Sequence, residues 1–316
     1  MNYIKKIVHV TKYSKYSVVS IKDNTKALLL LVTLGFIWSF GFIIARFVTT
    51  HGVNPIGYSF WNTLGTAVLL FGILRLSGKK LCWSRKNLQF YFFCGLIGIA
   101  LPNTNRYFAA AHLPAGLLAV IINSSPLWMY VLSLCFKMEK FFLGRFVGVL
   151  CGVIGILLII FSKTALGVGS RGVFPWILVA LITPCCYALS AIYITKHKHK
   201  DSMTLVSGML IAAAMMLIPL TFATKSFYSI HLPLNLVDGA ILLEIILSSV
   251  GYMILFKLLR LVGPVYYSLV DGLVVVVTPI LGMLFFAETL GYLMFAGVFL
   301  ILLAVMLVTF GQSFVK

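Results

Sequence analysis

Long, unbroken runs of apolar residues alternate with short polar stretches along almost the whole chain. A helix rises about 1.5 Å per residue, so about 20 residues cross the roughly 30 Å of bilayer hydrocarbon. Ten runs meet that length, at 27–48, 56–76, 88–110, 115–136, 141–161, 173–195, 203–223, 236–257, 264–286 and 291–311. They are numbered here as segments 1 to 10. Membrane-spanning strands would instead alternate apolar and polar residues over stretches of about ten. The pattern therefore predicts an all-α integral membrane protein with ten transmembrane helices.

Composition agrees, since 61% of the 316 residues are apolar and 10% are charged, whereas soluble domains carry about 25% charged residues. The net charge of +18 invites a nucleic-acid partner until the positions of the charges are considered. With a cytoplasmic N-terminus, 20 of the 25 basic residues fall on the inner side: the tail lysines, Arg75 to Lys86, Lys137 to Arg145, Lys196 to Lys200, Lys257, Arg260 and Lys316. Such asymmetry sets topology in a membrane. The expected partners of these charges are anionic lipid headgroups, with no nucleic acid, both termini cytoplasmic and the chain in the cell (inner) membrane.

Residues 1–26 are basic, lack an apolar core and read as a cytoplasmic tail. Beyond them, sliding the chain by 149 residues lays segments 1–5 on segments 6–10 without a gap: Trp38 meets Tyr187, Glu139 meets Glu288 and Gly148 meets Gly297. The two units are 27–161 and 173–311. Because each holds five crossings, the second enters the membrane in the opposite sense, the arrangement of inverted-repeat transporters.

Segment 1 reads LGFIWSFGFIIAR, and the segment 4–5 region carries Pro126, Glu139, Gly148, Gly152 and Gly155. Segment 9 carries Pro279 ahead of Glu288. On these residues the chain resembles the drug/metabolite transporter superfamily, and within it the EamA family. The resemblance implies a ten-helix secondary transporter with a central cavity formed chiefly by segments 1, 3, 4, 6, 8 and 9.

Ionisable groups inside a bilayer cost about 2.5–3.5 kcal/mol each at mid-helix, so each calls for a partner or a function. Arg106 and Glu244 lie at similar depths, and two readings stand: they pair, or they jointly grip a zwitterion. A snorkelling arginine beside an interfacial glutamate is the bland alternative. Asn103 and Tyr107 flank Arg106. Glu244, Ser248 and Tyr252 form one stripe, and Tyr267 and Asp271 begin another. Tyr187 and Ser190 share a face of segment 6, Asn123 and Ser124 sit in mid-segment 4, and Trp38 opens a stripe on segment 1. These thirteen residues are the expected substrate contacts, and interhelical hydrogen bonding is the competing account. Asp271 has two further readings, a structural pair with Lys257 or a proton-coupling carboxylate.

Pro102, Pro126, Pro184, Pro219 and Pro279 are expected to interrupt helices. The glycine face at 148, 152 and 155 suits close helix contact, internal or with a second copy in a homodimer. The six cysteines and the KHKHKD run at 196–201 make no metal site, and no cofactor is expected. The absence of HExxH, GxSxG and Walker A sequences weighs against an enzyme or an ATP-driven pump. The leading expectation is a secondary transporter of a small amphipathic or zwitterionic metabolite, such as an amino acid. A channel or structural subunit and a lipid-modifying enzyme are the alternatives.

Overall fold

The computed structural model describes residues 21–160, 173–196, 202–288 and 291–310. Among them it is helical throughout, with no strand. The helices are α1 (Ile21–Thr50), α2 (Pro55–Leu76), α3 (Arg85–Gly95), α4 (Leu101–Ala110), α5 (Ala115–Ile122), α6 (Ser125–Cys135), α7 (Leu143–Ile160), α8 (Val173–Lys196), α9 (Ser202–Ala223), α10 (Leu236–Phe286) and α11 (Tyr292–Phe310). Most of the tail and the KHKHK loop lie outside the described residues. The part of the tail that is described, from Ile21, already belongs to α1.

Seven stretches are long and apolar enough to cross a membrane: 25–50, 55–76, 115–135, 173–195, 203–223, 236–259 and 269–286. Shorter apolar helices at 143–158 and 295–308 supply segments 5 and 10. Segment 3 is the remaining crossing, and it is built in three pieces. A π-helical turn, Leu96–Ala100, joins α3 to α4, with the Leu101 N–H bonded to the Leu96 carbonyl. Pro102 lies just beyond it and cannot donate a backbone bond, and wider helical turns commonly mark such places.

Segment 4 is also broken, because α5 ends at Asn123 and α6 begins at Ser125 with Pro126 in its first turn. The expected proline interruptions therefore occur at 102 and 126. At Pro184, Pro219 and Pro279 the helix runs on without a break. Neighbouring helices replace the lost backbone bond in such cases.

Helical bonding in α10 runs through 51 residues, which would measure about 76 Å if straight. It is folded back on itself. In its first arm Glu244 lies against Gly41 and Gly251 against Trp38. In its second arm Leu273 lies against Gly35, and Val277 and Leu281 pack with Ile43. The first arm thus runs against α1 and the second runs along it. They are the predicted segments 8 and 9, with Gly263-Pro264 between them.

Taking the end where α1 starts as the near end, Arg46, Leu113 and Glu288 meet at the far end. Residue α8 Trp176 stacks on His112, and Tyr193, further on, meets Phe90 and Phe93. Helix α8 therefore starts at the far end and runs to the near end, opposite to α1. The two five-segment halves are inverted. They also touch through their equivalents: α2 packs on α9 and α7 on α11. The glycine face of α7 is spent inside the molecule, where Gly148 meets Leu307 and Val308 and Gly155 meets Ile301 and the Gly297 carbonyl. The outer faces carry exposed apolar side chains such as Leu29, Phe92, Leu143, Leu284 and Phe299, as lipid contact requires.

Candidate functional site

A cavity of about 750 Å³ lies between the halves. Of the expected contacts, Trp38, Asn103, Arg106, Asn123, Tyr187, Ser248, Tyr252 and Asp271 line it. The other described ones stand behind the wall. Tyr107 and Ser124 are fully enclosed, and Ser190 packs against Gly98. Glu244 is buried beside Arg106, with Oε1 3.6 Å from Nη2. The side chain of Tyr267 is outside the described residues. The Asn123 side chain is nearly buried, and its amide donates to the Ala119 carbonyl at 2.7 Å.

Arg106 is held from several sides. Its Nη2 donates to the Tyr107 hydroxyl at 2.9 Å, and its guanidinium lies over the Phe42 ring at 5.4 Å and the Tyr107 ring at 4.8 Å. The Asn62 amide donates to the same hydroxyl at 2.7 Å. Glu244 reaches Arg106 because α1 has glycine opposite it. A Cβ on Gly41 would stand 3.1 Å from Glu244 Oε1. The first of the two sequence readings, that the two charges pair, is therefore the arrangement observed. An ion pair with a hydrogen-bonded, ring-covered arginine lowers the cost of placing both charges at membrane depth.

Further along, the Tyr187 hydroxyl donates to Asn103 Oδ1 at 3.0 Å. Asn105 Nδ2 reaches Thr183 Oγ1 and the Val179 carbonyl, fastening α4 to α8. Trp38 meets Tyr252 edge to face at 5.7 Å, and Gly251 leaves the room for its ring. These contacts give the chamber one polar wall and one aromatic wall. The expected Asp271–Lys257 pair does not form: Lys257 is exposed, while Asp271 lines the cavity.

The sequence reading missed segment 2. Asn62, Thr63 and Thr66 line the chamber, and the spacings of four (62 to 66) and three (63 to 66) along α2 are the signal that marks a polar helix face. It also passed over Tyr130, Ser133, Glu139 and Arg145, which line the cavity toward the near end. There Glu139 pairs with Arg145, whose guanidinium lies 5.7 Å from the Tyr130 ring.

A second cluster lies at the far end. Glu288 Oε1 accepts from the Ala115 N–H at 2.8 Å and Oε2 from the Gly116 N–H at 3.3 Å, while Arg46 Nε lies 3.2 Å from Oε1. Arg46 also donates to the Leu113 carbonyl. This cluster ties α1, α5 and the α10–α11 turn together. Beside it, Trp61 Nε1 donates to the Tyr228 carbonyl at 2.7 Å, and the Tyr228 hydroxyl donates to Asp238 at 2.8 Å. No described residue of these far-end turns lines the chamber.

Ten crossings in two oppositely threaded halves, around a polar and aromatic chamber of solute size, define a multi-pass membrane protein built to take up a small molecule between its repeats. The chain belongs to the EamA-like transporter family, whose profile matches residues 25–161 and again 174–310. It is similar to the uncharacterized transporter YvbV of Bacillus subtilis, at 23% identity over 90% of this chain and 92% of that one. It is also similar to an uncharacterized transporter of Archaeoglobus fulgidus, at 25% identity over 90% and 98% of the two chains. Protein PecM of Dickeya dadantii is 27% identical over 75% and 78%. One protein solved by crystallography shares the fold with a TM-score of 0.64, over 92% of this chain and 99% of that one, at 14% identity.

Proposed function

We propose that this chain is a secondary transporter that moves a small amphipathic or zwitterionic organic metabolite, an amino acid or a related compound, across the cell membrane by alternating access. Both termini and the near end face the cytoplasm in this reading. The observation that carries it is the one-sided chamber. Its lining runs from the Arg106–Glu244 pair to exposed Glu139 at the near end, while the Arg46–Glu288 cluster seals the far end. A chamber between inverted halves, shut at one end, is what one half of an alternating cycle requires. The near-end loops hold Lys79, Lys80, Lys137 and Lys140, which supports a cytoplasmic placement.

The test is counterflow. Purified protein in liposomes, loaded with unlabelled metabolite and offered the labelled compound outside, is expected to accumulate label transiently and saturably for one member of a panel. Linear, non-saturating flux would instead favour a channel. A cysteine in place of Lys80 is expected to react with an impermeant maleimide only from the cytoplasmic side, and labelling from outside overturns the orientation.

A further inference from the structure

Among the described residues, two arginines and two carboxylates line the chamber, namely Arg106, Arg145, Glu139 and Asp271. Arg106 is already matched by Glu244 behind it, at 3.6 Å, and Arg145 by Glu139. Asp271 is left over. Among the described residues its carboxylate has neither a hydrogen bond nor an ion pair. With these five groups ionised, two positive charges face three negative ones, and the five together carry one net negative charge, located at Asp271.

A backbone carbonyl without a helical partner lies at the depth of Asp271. Helix α5 runs from the far end toward the near end and the second arm of α10 runs the other way, with Gly116 against Pro279. Antiparallel packing sets residues that follow Gly116 level with residues that precede Pro279, so Ser124 comes level with Asp271. That is the place where segment 4 is broken. Pro126 has no N–H to give the carbonyl of Ile122 four residues before it, so that carbonyl is free of its helical bond. Ile122, Asn123 and Ser125 all line the chamber there. The N-terminus of α6 begins at the same break and has the opposite polarity, so what the turn offers a cation is the unbonded Ile122 carbonyl itself, an oxygen lone pair at the end of α5.

We propose that Asp271 and the broken turn at Ile122–Pro126 form a cation subsite, and that the transported compound places an ammonium or other organic cationic group in it. The inference rests on the transporter reading and narrows its substrate to compounds with such a group. Trp38 and Tyr252, on the same chamber, present ring faces and edges that accommodate an apolar or aromatic body attached to the cation. An anionic compound finds no free partner among the described residues, because both arginines are already matched, and it meets an uncompensated carboxylate.

The test uses three radiolabelled probes of one shape: tyramine, a cation; tyrosine, a zwitterion; and 3-(4-hydroxyphenyl)propionate, an anion. Equilibrium binding is measured on the full chain in lipid nanodiscs. Tyramine is expected to bind at least about tenfold more tightly than the anion, a difference of one charge interaction in a partly wet cavity. Asp271→Asn keeps the side chain's shape and is expected to weaken tyramine binding about tenfold and to abolish the preference, while Asp271→Glu restores part of it. An anion that binds as well as the amine overturns the proposal. So does an Asp271→Asn variant, folded by its size-exclusion profile, that keeps the preference, as it would if Asp271 served only as a proton site. Absence of amine binding up to about 10 mM, weaker than any useful transport affinity, overturns it as well. Counterflow separates the two readings. Tyramine binding through Asp271 without saturable counterflow defeats transport but leaves the subsite standing, whereas counterflow indifferent to Asp271→Asn defeats the subsite alone.

Discussion

Replacing Glu288 by Gln tests whether the far-end cluster is the latch of the closed side. Glu288 accepts two backbone N–H groups at the start of α5, at 2.8 and 3.3 Å, and pairs with Arg46 at 3.2 Å. The helix needs that acceptor, because its N-cap residue, Pro114, makes no side-chain cap bond. The chain can present the carboxylate because Ala287 ends α10 in the left-handed conformation, at φ 51°, and turns Glu288 back toward α5. Gln offers one acceptor oxygen in place of two and no charge. Hydrogen bonds to charged groups contribute about 1.5–3 kcal/mol each, and a helix N-terminus adds some tenths for a negative charge. A loss of about 2–3 kcal/mol from the far-closed state follows, or a shift of roughly 30- to 150-fold in its equilibrium with the far-open state. The assay is labelling of Ser125→Cys, a chamber position, in a background without the six native cysteines. An impermeant maleimide is applied from the far side. Glu288→Gln is expected to raise the labelling rate at least tenfold, allowing for an initial far-open fraction that is not negligible. An unchanged rate in a variant whose Tm also stays unchanged would refute the latch.

Arg106→Gln strands Glu244 in the wall, a change that costs about 3–5 kcal/mol when one partner of a buried pair is lost. Thermal unfolding in detergent should show that loss, and transport should fail. The Arg106→Gln/Glu244→Gln double variant should recover stability without transport, and unchanged uptake in the folded single variant defeats the assigned role. Gly155→Val sets side-chain atoms where a Cβ alone would stand 2.8 Å from Ile301 Cγ1 and 2.9 Å from the Gly297 carbonyl. Overpacking of about 1–3 kcal/mol should lower Tm by several degrees. No change would mean that α7 and α11 do not need this close approach.

The ten crossings and their inversion were legible because lipid imposes one rule, a continuous apolar run of fixed length, on every segment. Arg106 and Glu244 were legible for the same reason, since charges at equal depth in a medium that penalises them point to each other. The inward face of α2 was not. Asn62, Thr63 and Thr66 are uncharged, and a bilayer tolerates such groups on any helix that finds a neighbour, so their cost gives no warning. The π-turn at Leu96–Ala100 was hidden too, because Pro102 announces a disturbed backbone but not whether it bends, breaks or widens. Asp271 was visible as an anomaly, but whether Lys257 matched it depended on side-chain direction, which depth does not fix. Glu139 lay in a stretch read as loop and Arg145 in the first turns of segment 5, and the place of their pair on the chamber lining follows only from how α6 and α7 meet.

The repeat itself distinguishes the two ends. Glu139 and Glu288 are equivalent under the shift of 149 residues, but their surroundings are not. The counterpart of Arg46 is Thr195, whose hydroxyl bonds to the Ala191 carbonyl of its own helix. The counterpart of Ala115, which gives its N–H to Glu288, is Pro264, which has no N–H to give. A near-end latch built on the same plan thus lacks the cation and one of the two donors, and Glu139 turns to Arg145 instead. On the alternating-access reading, the far latch is the stronger of the two, which favours a chamber open at the near end. Thr195→Arg would supply the missing cation. With the Glu139 side chain 37% exposed, solvent screens the new pair to about 1 kcal/mol, or roughly a fivefold shift toward the near-closed state. Labelling of Ser125→Cys from the near side, measured in inside-out vesicles, should slow by about that factor. Adding Glu139→Gln should restore the rate. A rate unaffected by Thr195→Arg, or a slowing that survives Glu139→Gln, would show that the two glutamates do not perform equivalent tasks at opposite ends.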